Sequence, residues 1–429
     1  MSKRTLMLIL LGLLVLMATP TLAQDDGGMQ LPEECSTVTL DYWNPFTGPD
    51  GPFMGQLVDA FNAEHPNIQV AMTTQSEYYT QLSTAAASGT LPDVAIVHAD
   101  QIATQVYRNI LRPMDDIVEQ VGINGADFPE AVWNAGEVNG SRYAVPLDIH
   151  PMTMFVNTDL LEQAGFADAP MTGEAFAEMA AALTSGDNNG FMLTAGFPIR
   201  QIFEMLLYQF GGMSFNEDGT EAAWNSEAGV QAMQWLLDAQ AGYSQPNLEV
   251  DAELNSFKGG TVGMIWNGIW QTTNVTGEGV FFGSRAVAVP QIGPNMAVWA
   301  GSHQLTLPTQ AAEDPCVDTA AGIFISYLLD NSVTWARAGQ LPANNVVRES
   351  DEFAEVQPQA DIAAGSADYV FFPPSVPGIT DAYGPLDEAV SALMNGNATD
   401  IQAELDNAAE RANQILEQNR ATFGEAPSS

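Results

Sequence analysis

The predicted fold rests on three short apolar stretches: Val38-Thr39-Leu40-Asp41-Tyr42, Ile68-Gln69-Val70-Ala71-Met72 and Val94-Ala95-Ile96-Val97. The first is rich in β-branched and aromatic residues, the second alternates, and the third is continuously apolar, as in a strand buried on both faces. Between them, residues 54–61 and 79–86 carry apolar side chains at helical spacing. A β-α-β-α-β run of these lengths predicts an α/β fold with a doubly wound sheet of the parallel type.

Strand and helix patterns continue along the rest of the chain. Residues 143–147 and 154–156 have strand character, Thr172 can cap a helix, and amphipathic stretches follow at 202–210 and 230–237. A chain of 429 residues is long enough for two or three domains. No internal repeat is present in the sequence, which argues against a solenoid.

The charge balance excludes one class of partner. The chain has 53 acidic and 12 basic side chains and a formal net charge of −41. Phosphate backbones and anionic membranes would repel such a surface, so we expect no nucleic-acid binding. The apolar share of 46% is normal for a globular protein, so the chain is not predicted to be disordered.

The first residues are typical of a secretory signal peptide. Lys3 and Arg4 precede an apolar run at 6–17 that is too short to span a bilayer. The small residues at 21–23 favour cleavage after Ala23. An uncleaved anchor is the alternative. No cysteine follows the predicted cut, so a lipid anchor at that site is not expected, and we predict a secreted, periplasmic or cell-surface protein.

The two cysteines, Cys35 and Cys316, are an even count in an oxidising compartment. A disulfide between them is favoured slightly over two buried thiols, and the sequence alone leaves both open.

Polar and aromatic side chains follow two of the predicted strands. In open parallel sheets, ligands bind beyond the carboxyl ends of the strands. Trp43 and Asn44 follow the first strand, and His98 and Asp100 follow the third. An indole beside amide and carboxylate groups suits a sugar, because the ring covers C–H surface while the oxygens bind hydroxyls. A core tryptophan and a buried structural histidine are the alternatives for Trp43 and His98.

Enzyme signatures are absent from the sequence. It contains no HExxH, GxSxG, P-loop or CxxC motif, and no calcium-binding loop. We therefore expect a protein that is not an enzyme and has no cofactor.

Four stretches together resemble the extracellular solute-binding proteins of bacterial ABC sugar importers, the family 1 group that includes maltose-binding proteins. Residues 40–43 with 57–66 resemble the family's first strand and F-N-x-x-x-P helix, and residues 89–94 resemble its G-x-x-P-D-V strand entry. Residues 139–165 are similar to its G-K-x-Y-x-x-P … Y-N-K-D-L hinge segment, and residues 257–270 to its F-x-x-G-x-x-A-M … G-x-W element. Their order and spacing hold across nearly the whole predicted mature chain.

The resemblance implies two α/β lobes of the type II periplasmic-binding-protein fold, joined by hinge strands around a central ligand cleft. We expect residues 1–23 to be the signal peptide, 24–143 with 292–341 to form the N-terminal lobe, and 144–291 with 342–429 to form the C-terminal lobe. The hinge crossings would lie at residues 143–147, at 287–291 and after Leu341. Both cysteines would then lie in the N-terminal lobe, which supports their pairing.

The resemblance also implies a set of cleft-lining residues. Transferred position by position, they are Trp43, Asn44, His98, Asp100, Asp148, His150, Trp266, Asn267, Trp270, Trp299, Ser302 and His303, with Tyr78 as a further candidate. Tryptophans would stack on sugar rings, and carboxylates, amides and imidazoles would bind hydroxyls. Trp266 and Trp270 are four residues apart, and one of them could instead pack inside a lobe.

Three of the four histidines fall on these predicted cleft segments together with two aspartates. A metal site is therefore an alternative, but the sequence does not give the distances between these side chains, and we expect no metal.

We expect a monomeric binding protein that captures a neutral mono- or oligosaccharide by lobe closure and delivers it to an ABC permease. One alternative is an sn-glycerol-3-phosphate or glycerophosphodiester ligand, which would need convergent arginines. Arg200, Arg285 and Arg337 lie near the predicted cleft, and none is at a matched position. A second alternative is a secreted glycoside hydrolase that uses Asp100 and Asp148 as its carboxylate pair.

Overall fold

The computed structural model describes residues 30–244, 251–277, 279–312 and 314–423. The predicted signal peptide and its cleavage site lie outside the described residues. Over the described residues, none of the helices is long and apolar enough to cross a membrane.

The strands are short except for one. In chain order they are β1 Val38–Asn44, β2 Ile68–Thr74, β3 Val94–His98, β4 Glu137–Val138, β5 Ser141–Arg142, β6 Ala144–Pro146, β7 Asp148–Asn157, β8 Asn189–Met192, β9 Val262–Gly268, β10 Ser284–Ala288, β11 Val298–Gly301, β12 His303–Thr306, β13 Leu341–Pro342 and β14 Val370–Phe371.

Helices alternate with these strands. The α-helices are α1 Gly51–Glu64, α2 Tyr78–Ser88, α3 Ile102–Tyr107, α4 Asp115–Gln120, α5 Glu130–Asn134, α6 Thr158–Gln163, α7 Gly173–Leu183, α8 Ile199–Gln209, α9 Glu227–Tyr243, α10 Ala252–Lys258, α11 Thr272–Thr276, α12 Pro315–Asp330, α13 Ser332–Ala336, α14 Asn345–Arg348, α15 Asp351–Ala354, α16 Gln359–Ser366, α17 Gly384–Met394 and α18 Ile401–Phe423. Short 3-10 helices follow some strands, including Ala99–Gln101 after β3 and Ile269–Gln271 after β9.

The first sheet has the strand order β2-β1-β3-β12-β6. β1 pairs in parallel with both β2 and β3, as the opening β-α-β-α-β pattern predicts. α1 buries Met54, Leu57, Val58 and Phe61, four residues at helical spacing, against this part of the structure. β12 then pairs antiparallel with β3 and β6, so the sheet is mixed.

The second sheet has the order β14-β11-β7-β9-β8, and β10 and β13 also pair with β7. It is mixed as well, because β7 is antiparallel to β9, β10, β11 and β13, whereas β8 and β9 are parallel. All ten residues of β7 are buried, which explains why this central strand shows no alternation in its sequence. The predicted α/β class is confirmed.

Within the described residues, the chain passes between the two sheets at three places. Leu147 separates β6 of the first sheet from β7 of the second, inside the segment predicted as a crossing. Ser302 separates β11 of the second sheet from β12 of the first. By sheet membership this second passage follows the predicted position at 287–291, because β10 and β11 both still pair with β7. The third passage lies between β12 of the first sheet and β13, which pairs with β7 at Leu341, beside the position predicted for the last crossing.

Two large groups of buried apolar residues fill the protein. One packs around the first sheet and includes Tyr42, Phe61 and Phe324, and the other packs around α7, α8 and α9. Phe257 and Ile265 from the predicted C-terminal lobe belong to the first group, so the core is continuous across part of the proposed boundary. The lobe limits given by residue number stay a prediction.

Cys35 and Cys316 form a disulfide, with their Cα atoms 5.6 Å apart. It ties the segment before β1 to the first turn of α12, which packs beside the first sheet. The bond closes a loop of 281 residues, so it removes a large amount of conformational freedom from the unfolded chain.

Candidate ligand-binding site

A cavity of about 300 Å³ lies where the ends of β3 and β12 meet β7 and β11. Its wall combines aromatic side chains with hydrogen-bonding groups. The lining residues are Asp50, Tyr79, His98, Ala99, Asp100, Gln101, His150, Phe197, Arg200, Gln201, Trp270, Trp299, Ala300, Gly301, Ser302, His303, Gln340, Phe372, Pro373 and Tyr383.

Three histidines from three strands converge at this cavity. His303 of β12 pairs directly with His98 of β3, and His150 of β7 pairs with Gly301 of β11. The ring centroids are 4.3 Å apart for His150 and His303, 4.9 Å for His98 and His303, and 6.0 Å for His98 and His150. The strand register therefore collects imidazoles that are distant in sequence.

Gly301 leaves room for this cluster. A Cβ atom at this position would lie 2.1 Å from Nε2 of His150, closer than two non-bonded atoms can approach. Only glycine allows the His150 ring to lie against the β11 backbone.

Asp148 holds two of the histidines in place from behind. Its side chain is fully buried and accepts hydrogen bonds from Nδ1 of His150 at 3.0 Å and from Nδ1 of His303 at 2.7 Å. The backbone N–H of His303 and Nε1 of Trp335 donate to the same carboxylate at 3.0 and 2.6 Å. Burial alone would raise the pKa of Asp148, but His303 and these hydrogen bonds hold it well below its usual range.

The hydrogen bonds fix the tautomers of these two rings. Because Asp148 is an ionised acceptor, Nδ1 carries the proton in both His150 and His303, and Nε2 keeps its lone pair when the ring is neutral. Burial lowers the pKa of His98 and of His150, which favours neutral rings at pH 7.

His98 is oriented by a different partner. Tyr79 of α2 places its hydroxyl 2.6 Å from Nδ1 of His98 and accepts the His98 backbone N–H at 3.0 Å. Burial raises the pKa of Tyr79 well above its ordinary value, so the phenol stays protonated.

An aromatic wall faces the histidines. The rings of Phe197 and Trp270 are stacked, with centroids 5.9 Å apart and an interplanar angle of 27°. Phe197 is 58% exposed, so one face of its ring is accessible to a ligand. The Trp270 ring lies over Gly268, where a Cβ would come within about 2.0 Å of it. Trp299 contributes a second indole, whose ring centroid lies 6.5 Å from that of His150.

Two carboxylates and one guanidinium also line the cavity. Burial raises the pKa of Asp100 to about 6, although Arg200 opposes the shift. Burial likewise raises the pKa of Asp50, which accepts a hydrogen bond from Gln340 at 3.3 Å.

Arg200 is already paired with acidic side chains. Its guanidinium contacts the buried carboxylate of Glu204 one helical turn later, donates to Asp387 at 3.0 Å and lies 4.1 Å from the ring centre of Tyr383. Burial alone would lower its pKa, but Glu204 holds it above its ordinary value. The cavity thus contains a cation whose charge is balanced by protein groups.

The model of the family described as bacterial extracellular solute-binding protein matches residues 56–362, well over half of the chain. The chain belongs to this family. The predicted family membership is therefore confirmed, and this family is extracellular by description.

Solved structures with the same two-lobe fold cover most of this solute-binding protein. The ABC substrate-binding protein Lmo0181 of Listeria monocytogenes, in complex with cycloalternan, superimposes with a TM-score of 0.77 at 19% identity and covers 89% of this chain and 100% of its own. Maltose-bound MalE3 of T. maritima gives a TM-score of 0.76 at 21% identity, with coverage of 88% and 100%. The predicted fold class is confirmed.

One curated relative has a different printed ligand. The sn-glycerol-3-phosphate-binding periplasmic protein UgpB of Escherichia coli is 24% identical in an alignment of 416 positions that covers 89% of this chain and 93% of that protein.

Seven of the thirteen site residues predicted for this solute-binding protein line the cavity. They are His98, Asp100, His150, Trp270, Trp299, Ser302 and His303. Asp148 lies directly behind the histidines and does not itself face the cavity, because its carboxylate oxygens are occupied by buried donors.

The other five predicted residues do not line this cavity. Trp43 and Tyr78 pack together in a small apolar group under α2, where the Tyr78 hydroxyl donates to the Trp43 carbonyl at 3.1 Å. Asn44 is fully buried, and its side-chain oxygen accepts from Phe46 N at 3.1 Å and from Thr74 Oγ1 at 3.0 Å.

Trp266 and Asn267 belong to the interior of β9. The Trp266 ring stacks on Trp235 with centroids 5.3 Å apart, so Trp266 is the lobe-packing member of the pair with Trp270. Asn267 donates to the buried Glu253 at 3.1 Å. All seven residues of β9 are buried, so its sequence carries no signal that separates the cavity side from the core side.

Sequence reasoning missed several cavity residues. Asp50 had a signal, since it lies in the turn-rich loop after β1, at a strand end of the kind where ligands bind. The apolar spacing of residues 79–86 marks Tyr79 as part of a helical face and not as a ligand, and the predicted candidate is its neighbour Tyr78, which the structure buries. Six others carry no local pattern that marks a ligand site: Phe197, Gln201, Gln340, Phe372, Pro373 and Tyr383.

Arg200, which the sequence analysis places near the cleft but at no matched position, lines the cavity. It lies in the first turn of α8, and the approach of that helix to the cavity is a tertiary feature.

Proposed function

We propose that this solute-binding protein captures a neutral mono- or oligosaccharide in the cavity described above and delivers it to an ABC permease. The observation that carries the proposal is the composition of the wall. Trp270, Phe197 and Trp299 offer ring faces, and Asp100 and Asp50 offer carboxylates, as a polyhydroxylated ring requires. The names of Lmo0181 and MalE3, solved with cycloalternan and maltose, support this ligand class.

The cavity volume favours a short ligand. About 300 Å³ is at the lower end of the range of roughly 300–1,000 Å³ typical of small-molecule sites. One or two sugar rings fit this size better than a long oligosaccharide.

Hydrogen bonds between residues of the two predicted lobes support capture by closure. Gln101 next to the cavity donates to Thr380 at 2.8 Å, and Thr104 of α3 accepts from the backbone N–H of Gly378 at 2.7 Å. A sugar that touches both sides stabilises the arrangement with these contacts, and the permease would recognise that closed form. We propose that the protein acts as an extracytoplasmic monomer after cleavage at Ala23.

A second candidate ligand is sn-glycerol-3-phosphate or a glycerophosphodiester. The position of Arg200 in the cavity and the name of the UgpB relative favour it. Against it, Glu204 and Asp387 already neutralise that guanidinium, and Asp50 and Asp100 add negative charge. A phosphate would have to compete with carboxylates for one arginine.

The position of Asp148 argues against the glycoside hydrolase alternative, which needs Asp100 and Asp148 as a carboxylate pair. Asp148 accepts four buried hydrogen bonds and does not face the cavity, so it cannot reach a glycosidic bond beside Asp100. We therefore propose a binding protein that is not an enzyme.

The test is a thermal-shift screen of the purified protein against mono- and disaccharides and glycerol phosphates, followed by titration calorimetry of the hits. A ligand at 100 times its Kd stabilises the native state by about 2.7 kcal/mol, which gives a measurable rise in Tm. A hit among neutral sugars supports the proposal, and hits confined to phosphates would replace it with the second candidate.

Two exposed phenylalanines provide a matched pair of variants. Phe197→Ala removes a ring from the cavity wall, and we expect affinity to fall about tenfold. Phe281→Ala removes a ring that is 96% exposed and does not line the cavity, and affinity should be unchanged. Equal effects of the two substitutions would show that the sugar binds elsewhere.

A further inference from the structure

We propose that His98, His150 and His303 form a binding site for a divalent transition-metal ion of the zinc type at the floor of the cavity. The site would use three imidazole nitrogens and leave a coordination position open towards the cavity. This inference goes beyond the sugar-binding function and does not depend on it.

The donor atoms are close enough to share an ion. One ring nitrogen from each histidine lies within 4.8 Å of the other two. Three nitrogens about 2.1 Å from a tetrahedral zinc are roughly 3.4 Å apart, so a shift of about 1 Å per ring brings them into the coordination sphere. Rotation of the side chains can supply such a shift, because the rings face a cavity rather than close-packed core.

The hydrogen bonds leave the same nitrogen available on each ring. Across the described residues, hydrogen bonds engage Nδ1 of all three histidines: two with Asp148 and one with Tyr79. Nε2 of His150 and of His303 then carries a lone pair, as a metal ligand must. His98 gains the same tautomer when its Nδ1–H donates to the Tyr79 hydroxyl.

Asp148 occupies the place of an outer-shell carboxylate. Metal-binding histidines usually donate their other ring N–H to a carboxylate or carbonyl, which orients the ring and raises its basicity as a ligand. One carboxylate performs this function for two histidines here and is itself fixed by Trp335. A buried histidine that only fills space needs no such arrangement.

The donor atoms decide which ions suit this site. Three imidazoles without a carboxylate ligand suit zinc, copper or nickel rather than calcium or magnesium, which prefer oxygen. The open position could hold a water molecule or a hydroxyl of a bound ligand.

The test uses the full mature protein, stripped with chelator and dialysed into metal-free buffer without sugar. Zinc chloride is titrated by calorimetry in excess magnesium, which occupies weak sites on the acidic surface. Cobalt chloride is titrated in parallel, because intense visible absorption bands report tetrahedral nitrogen coordination. We expect one equivalent of each ion to bind, with a rise in Tm on addition of zinc.

The fourth histidine supplies the matched control. His65 lies at the end of α1, where its Nδ1 is 3.2 Å from the Phe61 carbonyl and its ring stacks on Phe61, away from the cavity. We expect His98→Gln to weaken zinc binding at least about tenfold and to abolish the cobalt bands, and His65→Gln to change neither. His150→Gln gives a second test if His98→Gln does not fold.

Absence of stoichiometric zinc, or equal affinities for His98→Gln and His65→Gln, would overturn the proposal. Sugar affinity is measured separately on the same metal-free protein. A protein that binds zinc but no sugar would contradict only the proposed function, and one that binds sugar but no zinc only the metal site.

Discussion

The carboxylate of Asp148 should stabilise the folded protein by several kilocalories per mole. Its replacement by asparagine tests this expectation, because it changes the acceptor of the buried hydrogen bonds. Two donors reach each carboxylate oxygen: His150 Nδ1 and the His303 backbone N–H on Oδ1, and His303 Nδ1 and Trp335 Nε1 on Oδ2. Asparagine has one oxygen and one NH₂ group, so two of the four hydrogen bonds lose their acceptor whichever way the amide is turned.

The cost follows from what those donors can do instead. Histidine can change tautomer and accept from the new NH₂, but the indole N–H and the backbone N–H are donors only. Either orientation therefore leaves one fixed donor unpaired in the interior, at about 1–3 kcal/mol, and removes hydrogen bonds to a charged group, at about 1.5–3 kcal/mol each. Together these losses give an expected destabilisation of roughly 3–5 kcal/mol for Asp148→Asn.

A double-mutant cycle with Trp335→Phe isolates one of these contacts. Phenylalanine keeps a ring against Phe46 but removes the indole N–H, so the NH₂ group of the introduced asparagine can face that side without a clash. We expect the cost of Asp148→Asn to be about 1–3 kcal/mol smaller in the Trp335→Phe background, because contacting residues are not additive. The packing loss of the smaller ring cancels in the cycle.

Urea unfolding followed by circular dichroism measures the four free energies, after a check that unfolding is two-state in this two-lobe chain. Asp59→Asn, an exposed aspartate on α1, is the control and should change stability by less than about 0.5 kcal/mol. A cost of Asp148→Asn below about 1 kcal/mol, or an additive cycle, would refute the account of this network.

Three further predictions concern the protonation of Glu253, the disulfide and Gly268. Burial raises the pKa of Glu253 to about 7, so between about pH 4.5 and 7 the folded protein keeps a proton that the unfolded chain releases. The free energy of unfolding therefore falls as pH rises through this window, and Glu253→Gln should raise Tm at pH 8 but have little effect at pH 4. A Tm of the variant that follows the wild-type pH profile would contradict this. Reduction of the disulfide, in differential scanning calorimetry with and without reductant, should cost about 2–5 kcal/mol, and an unchanged Tm would show that the bond does not constrain the unfolded chain. Gly268→Ala should displace the Trp270 ring and weaken ligand binding at least about tenfold in calorimetry, whereas Gly242→Ala, with open space around its Cβ, should leave affinity unchanged.

The parts of the fold that the sequence predicted correctly depend on local patterns. The spacing in α1 and the apolar run of β3 report burial directly, because each residue's burial follows from the period of its own element. The mixed character of the sheets has no such signal. β12 joins β3 in antiparallel orientation only because the chain returns from the second sheet at Ser302.

The candidate site was only partly predictable for the same reason. His98 is the last residue of β3 and Trp270 lies two residues after β9, so strand ends and family motifs indicated both. Neighbouring residues were harder to separate. Tyr78 and Tyr79 differ by about 100° around α2, and only the packing of that helix decides which ring reaches His98.

The sequence by itself determined the class of protein: an acidic α/β chain with a secretory leader pattern and the ordered motifs of a solute-binding family. These features are local or compositional, and they persist whatever the chain packs against. Only the tertiary structure decided that three histidines meet at one cavity and that two of them share one carboxylate. It also decided that Arg200 lines the cavity with its charge already paired, and that Trp266 packs in the core whereas Trp270 lines the cavity. Those facts depend on strand register and helix placement between segments distant in sequence, where distances are set by the packing of the whole chain.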